Sequence, residues 1–261
     1  MEQSKVEKRH NEILKMLNSN DSVTVAEFCE NLKCSESTIR NDLAFLEKNG
    51  QLLRTFGGAV KTGITPYNLL DVKLRKSIYL QEKTEIARCV VEKLIAPHMT
   101  VILDAGTTCQ EIAVEMARQR IPGTVITNSF YAAAALVQAA DTIDLYMFGG
   151  LFDSSRGRFY DVYLPNAFDH MRADLYLMGV DGINADSGVS ITGVDEIQTK
   201  RQFMGISQKT VAVADHSKMG RNSLRLLASF DELDAVVVDK KTPAADVSRL
   251  LEKGVKVLGA E

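Results

Sequence analysis

Apolar positions recur at helical spacing in the first segment of the chain, "SKVEKRHNEILKMLNSN", where Val6, His10, Ile13, Leu14 and Leu17 share one face. Ser4 with Glu7 three residues on has the form of a capping box for that helix. A polar "SNDS" turn leads into "TVAEFCENL", where Thr24 and Glu27 repeat the capping signature before Phe28 and Leu32. After the break at "KCS", Ser35 can cap a third helix with Ile39, Leu43 and Leu46 on one side, and Asn49-Gly50 ends it. "QLLRTFGGAV" then predicts a strand, a Gly-Gly turn and a second extended piece. Three short helices with a tight turn before the third, closed by a hairpin, predict a winged helix-turn-helix over residues 1–60. With the apolar face of the third helix committed to a core, Ser37, Thr38, Arg40 and Asn41 are left facing outward.

Residues 61–80 have no clean period and hold a proline and several basic residues, which suits a linker or connecting helix. From residue 81 to 261 the pattern changes. Short β-rich runs at 100–103, 124–127, 143–148, 174–180, 210–214, 234–239 and 255–258 alternate with helical stretches such as "EIAVEMARQ", "YAAAALVQAA" and "DEIQTKRQFMGIS". Such alternation predicts a mainly parallel α/β sheet with helices on both faces.

With 261 residues and 45% hydrophobic content, the chain can bury a core in two modest domains. No apolar run approaches the roughly 18 residues a membrane helix needs, and no signal-peptide pattern opens the chain, so a cytoplasmic protein is expected. Cys29, Cys34, Cys89 and Cys109 show no CxxC spacing, so neither a disulfide framework nor a metal site is expected. The net charge of −3 is divided unevenly: residues 1–76 hold twelve Lys and Arg against ten Asp and Glu, the remainder nineteen against twenty-four. Residues 1–60 alone carry eight basic and nine acidic groups, so any DNA contact depends on local placement rather than bulk charge.

In open α/β sheets, ligands bind beyond the carboxyl ends of the strands. Those ends here read Asp104, Gly106, Thr107 and Thr108; then Thr127, Asn128 and Ser129; then Gly149 and Gly150; then Asp181; then Asp215 and Lys218. Gly106, Thr107 and Thr108 can turn amides and hydroxyls toward an anion at a helix start. Asp104, Asn128 and Asp181 suit sugar hydroxyls, while Lys200 and Lys218 can neutralise a phosphate. Each residue also has a plainer reading, the aspartates, Asn128 and Ser129 as helix caps and the lysines as solvated charges. It is their joint occurrence that points to a phosphorylated polyol. Arg156 and Arg158, in a Gly-containing loop, either reach that phosphate or face solvent. Cys109 reads as a packing residue and His216 as a surface one. No HExxH, GxSxG or Walker A pattern is present, so no catalytic residue and no cofactor is assigned.

At these residues the sequence resembles the DeoR-type bacterial transcriptional regulators. The resemblance rests on the "STIR.DL..LE..G" core with its wing glycines and on "LDAGTT", "TNS", "GG", "VDGI....G", "E...K" from Glu196 to Lys200, and "ADHSK". It implies a sensor domain related in fold to ribose-5-phosphate isomerases and CoA transferases. It also implies a repressor of a carbohydrate operon, released from DNA by a phosphorylated sugar. The sequence departs from the family at Asn41, where a second Arg is common, and at Phe56, where a His precedes the wing glycines. In this reading Ser35, Ser37, Thr38, Arg40 and Asn41 meet double-stranded operator DNA, Arg54 and Lys61 add phosphate contacts, and a homodimer or homotetramer spans repeated half-sites. Two rivals stand beside it: a sugar-phosphate isomerase or transferase using Asp104, Asp181, Glu196 or Asp215 as acid or base, and a protein-docking module in the first sixty residues.

Overall fold

The computed structural model describes residues 5–20, 22–55, 57–61, 72–160 and 170–259. Ser4, Phe56, half of the expected linker (62–71) and residues 161–169 lie outside the described residues. The chain divides into two compact units, Met1–Leu80 and Gln81–Glu261.

The first unit runs α1 (Lys5–Ser19), β1 (Ser22–Thr24), α2 (Val25–Leu32), α3 (Glu36–Lys48), β2 (Leu52–Thr55), β3 (Gly58–Lys61) and α4 (Val72–Ser77). Its core is the set that the apolar spacing picks out, with Ile13 and Leu17 of α1 against Phe28 of α2 and Ile39, Leu43 and Leu46 of α3. Val6 is exposed, and His10 turns to a carboxylate rather than into the core. The N-caps expected for α2 and α3 form. Thr24 Oγ1 accepts from Glu27 N at 3.2 Å while the Glu27 carboxylate accepts from Thr24 N at 2.7 Å, and Ser35 Oγ accepts from Thr38 N at 3.3 Å. Asn49 keeps an ordinary φ of −88°, so Gly50, at +68°, is the residue that takes the left-handed turn.

The strand β1 has no signal in the sequence, since three residues are too few for a period. It pairs antiparallel with β3 and gives the sheet order β1-β3-β2. That pairing explains Gly58, where a side chain would run into the Val23 carbonyl oxygen.

The second unit begins with α5 (Leu80–Leu94) and continues through β4 (Thr100–Leu103), α6 (Thr107–Gln119), β5 (Gly123–Thr127), α7 (Phe130–Leu136), β6 (Ile143–Met147), β7 (Leu151–Asp153) and β8 (Arg158–Tyr160). After these come β9 (Leu175–Gly179), β10 (Gly182–Asn184), β11 (Gly188–Ile191), α8 (Glu196–Ile206), β12 (Thr210–Ala214), β13 (Arg225–Ala228), β14 (Ala235–Val238), α9 (Ala244–Glu252) and β15 (Val257–Gly259). Seven strands form the central sheet in the order β15-β14-β12-β9-β4-β5-β6, every neighbouring pair parallel. They are the seven β-rich runs of the sequence.

Alternate residues of each strand point to opposite faces, and both faces are covered. Val101, Leu103, Leu177 and Val213 pack under α5, α6 and α7, whereas Ile102, Tyr176, Met178 and Ala212 pack against α8, α9 and a small antiparallel sheet, β10-β11-β13. The helices α5 and α9 and the short strands β7, β8, β10, β11 and β13 were not anticipated. Among the described residues no helix is long and apolar enough to cross a membrane.

Strand order fixes where a ligand can enter. From β4 the chain steps outward to β5 and β6, then returns to the other side of β4 with β9 and continues to β12, β14 and β15. The reversal lies between β4 and β9, and that is the crevice in which doubly wound sheets bind ligands.

Candidate functional site

In the first unit the start of α3 presents a hydroxyl cluster. Ser35 Oγ lies 2.9 Å from both Ser37 Oγ and Thr38 Oγ1. Ser37, Arg40 and Asn41 are exposed and Thr38 is half-buried. Arg40 pairs with Glu36 at 3.2 Å, an exposed i,i+4 contact. Arg54 is less available, because Glu47 accepts its backbone N and its Nε, both at 2.9 Å, and ties the wing to α3. Lys61 ends β3, paired across from Leu52.

Beneath α3 lies Asp42, 6% exposed, which the sequence reading passed over. Arg9 grips it with two nitrogens, and His10 Nε2 stands 3.0 Å from its Oδ1 while stacking on Phe45 at 5.0 Å between ring centres. Burial pushes the Asp42 carboxyl up, but the hydrogen bonds from Arg9 and His10 outweigh it and hold it below its usual value.

In the second unit the crevice between β4 and β9 is closed by charge. Asp104 accepts from Ala105 N at 2.8 Å and Gly179 N at 2.9 Å and meets the Lys200 ammonium directly. Lys200 also donates to the Gly179 carbonyl at 2.9 Å and lies 3.7 Å from Glu196. Burial lowers its pKa, yet Asp104 and Glu196 outweigh burial and raise it, so the ammonium stays charged. Glu196 in turn pairs with Arg156, and Arg158 reaches Asp195 at 2.5 Å with Glu196 3.5 Å away. Both arginines come from the β7–β8 hairpin, which crosses the end of β5 through Phe130 N to Gly157 O at 3.0 Å and Phe159 N to Asn128 O at 2.9 Å. The arginines therefore belong to the rim, a placement that loop composition left open. Asp195 was missed altogether.

The other expected rim residues divide by what their atoms already do. Thr127 Oγ1 donates to the Leu103 carbonyl and accepts from Ser129 N, Ser129 Oγ caps α7 through Ala132 N, and Asp181 accepts from Thr192 N at 2.9 Å. Their side-chain bonds are internal. Gly149 and Gly150 lead from β6 into the β7–β8 hairpin, not into a helix. Lys218 is buried in the short turn after Asp215. Gly106 caps α6 without a side chain and has open space around its Cα, so the first amides of the helix, at Thr107 and Thr108, have no partner within the helix.

Among the described residues, the buried polar atoms at this end of the sheet that make no hydrogen bond include Asn128 Oδ1, Arg158 Nε and Asp215 Oδ2, in residues 4%, 3% and 1% exposed, with the Asp153 carboxylate 3.9 Å from Arg158 Nε. Cys109, whose Sγ lies 3.4 Å from the Leu177 carbonyl oxygen, is inert, since burial and then the Asp104 charge push its thiol far up. His216 is no free surface group. Its Nδ1 lies 3.2 Å from both Asp239 oxygens, and this hydrogen bond raises its pKa despite burial. Among the described residues no cluster of His, Cys, Asp and Glu could hold a metal ion.

A groove-sized helix with exposed polar residues, joined to an α/β unit with a polar crevice, defines a DNA-binding transcriptional regulator with a sensor domain. Residues 9–63 match the DeoR-like helix-turn-helix domain and residues 79–240 the DeoR C terminal sensor domain. The chain belongs to the DeoR family. It is 31% identical to the HTH-type transcriptional regulator GolR of Listeria innocua, covering 97% of this chain and 98% of that one. It is 30% identical to the HTH-type transcriptional repressor GlcR of Bacillus subtilis (95% and 94% covered) and 29% to the glycerol-3-phosphate regulon repressor of Escherichia coli K12 (95% and 97%). Among solved structures, ribose 5-phosphate isomerase A of Methanocaldococcus jannaschii aligns at 18% identity over 54% of this chain and 55% of its own, with a TM-score of 0.40.

Proposed function

We propose that the chain represses a carbohydrate or polyol operon in the cytoplasm, and that a phosphorylated sugar captured at the carboxyl end of the sensor sheet releases it from its operator. The observation that carries the sensor reading is the set of three buried atoms on Asn128, Arg158 and Asp215 that lack a hydrogen bond. A buried polar group without a partner costs about 1–3 kcal/mol, and a ligand offering both hydroxyls and an anion relieves all three. The phosphate is held by Arg158 and by the bare amides of Thr107 and Thr108, where the dipole of α6 favours negative charge. Asn128 and Asp215 take hydroxyls, while Asp104, Glu196 and Lys200 form the floor. The names of GlcR and of the glycerol-3-phosphate regulon repressor support this reading.

A thermal-shift screen over glycerol 3-phosphate, ribose 5-phosphate, glucose 6-phosphate, fructose 6-phosphate and glucosamine 6-phosphate tests it. A ligand at a hundred times its Kd adds about 2.7 kcal/mol, which for a unit of this size is a rise of about 5–10 °C. No rise with any of the five would defeat the reading.

On the DNA side, α3 enters the major groove with Arg40 and Asn41 at base edges, Ser35, Ser37 and Thr38 at the backbone, and Arg54 and Lys61 on flanking phosphates. The Arg40–Glu36 pair is exposed on both sides. Such pairs contribute about 0.5 kcal/mol and yield readily to DNA. Arg40→Ala should weaken operator binding at least about fivefold, the lower end of a lost bidentate base contact, with thermal stability and sugar-phosphate binding unchanged. Retained operator affinity in a mobility-shift titration would remove α3 from the groove. One such helix reads few base pairs, so a homodimer or homotetramer is the working form, and the exposed apolar side chains of Tyr146, Met147, Leu151 and Phe152 along β6 and β7 offer a surface for the second copy.

A further inference from the structure

Beyond the crevice, the carboxyl ends of β12 and β14 carry a second set of charges, of which the sensor reading uses only Asp215. Asp215 and His216 follow β12, and Asp239 follows β14. His216 binds Asp239 through its backbone N and its ring, and Asp239 also accepts from Lys241 N at 2.8 Å. The same short loop sends two cations to one helix: Lys241 pairs with Glu82, and Lys240 lies 3.8 Å from Glu85. Glu82 and Glu85 stand one turn apart at the start of α5, which is the first helix of the sensor unit and takes the chain directly from the DNA-reading unit.

These are not ordinary surface pairs. The lysines are more than half exposed, but the Glu82 and Glu85 side chains are only 6% and 15% exposed. The Glu82 carboxylate, buried to that degree, depends on its cation, and Glu85, which also accepts from Gln81 Nε2 at 3.1 Å, does so in part, so movement of the 239–241 loop is felt at α5. At the other end of the ladder Asp215 has an oxygen without a partner, and His216 follows it directly in the turn that Asp215 caps.

We propose that the ladder from Asp215 and His216 through Asp239 to the Lys241–Glu82 and Lys240–Glu85 pairs couples the sensor crevice to α5, and that Glu82, Glu85 and Asp239 are positioning residues for effector-driven release from DNA. The inference rests on the sugar-phosphate reading for its ligand, but not for its mechanics. Capture of a hydroxyl by Asp215 draws on the turn that holds His216, His216 shifts Asp239, and the loop carries the displacement to the first turn of α5.

Two measurements on the full-length chain test it. The first needs no ligand. Asp215→Asn should speed hydrogen exchange of the amides at 82–86 at least fivefold in the wild-type background and less than twofold when Lys240 and Lys241 are both Gln. No response in the wild-type background overturns the ladder. The second uses the member of the five-compound panel with the largest thermal shift and an operator fragment selected from random DNA by the wild-type chain. Glu82→Gln should bind that compound within twofold of wild type, while release from the fragment falls from at least fivefold to below twofold. Full release in Glu82→Gln also overturns the proposal. If no compound in the panel binds, the sugar-phosphate reading fails and the exchange measurement still decides the ladder.

Discussion

Lys200→Met is expected to lower the melting temperature of the sensor unit by roughly 6–20 °C, the counterpart of about 3–5 kcal/mol in a domain of this size. Lys200 and Asp104 are each 3% exposed, and the ammonium touches Asp104, Glu196 and the Gly179 carbonyl. Methionine fills the same space, so a cavity contributes little. The cost comes from Asp104, which keeps its two backbone donors but loses the positive charge that makes its burial tolerable. Glu196, close to the same site, adds repulsion. The double variant Asp104→Asn with Lys200→Met should recover most of the loss, because a neutral pair of similar volume carries no uncompensated charge. Sugar-phosphate binding should be lost in the single variant and stay weak in the double one. Differential scanning calorimetry of the full-length chain separates these outcomes. A shift below about 2 °C in the single variant would mean that the buried pair contributes nothing.

The contrast between Lys200 and Asp42 shows what a one-dimensional pattern can carry. All seven strands of the parallel sheet were legible, the five inner ones most plainly, because a strand covered on both faces is a run of mainly β-branched and aliphatic residues. The three reading helices were legible for a similar reason, their apolar spacing being reinforced by caps such as Thr24–Glu27 and Ser35. The strands β1, β7, β8, β10 and β11 were not, since three or four residues hold no period and their pairing partners are set by tertiary contact. Site residues followed the same rule. Asp104 and Asp215 could be singled out because they end strands, and strand ends are visible. Asp195, Asp239 and the pairing of Arg156 with Glu196 join residues from separate elements, and a single sequence gives no signal for such a junction. Asp42 was hidden differently, standing among exposed polar residues on α3 while its side chain turns inward to Arg9.

That inward turn makes Asp42 the second position with a large expected effect. Asp42→Asn keeps the shape of the side chain but removes the charge that Arg9 grips and that His10 faces. Arg9 is 20% exposed, so it can turn to water, and the cost should be about 2–3 kcal/mol, below that of a fully buried pair. A unit of eighty residues holds on the order of 4–12 kcal/mol in all, so this is roughly a sixth to three quarters of its stability. Operator binding should fall with it, because α3 loses its tie to α1, while sugar-phosphate binding in the sensor unit stays as in wild type. The effect carries a pH signature. The native Asp42 carboxyl is held below its usual value, so its contribution is fully present above the ordinary carboxylate pKa, near about 4, and is lost as pH falls through the lowered native value. The stability difference between wild type and Asp42→Asn should therefore be constant from pH 7 to 5 and shrink below that range. Amide exchange of α1 and α3 in the full-length chain reads this difference directly, and a gap that stays the same down to pH 3 would show that the carboxylate charge is not what holds the two helices together.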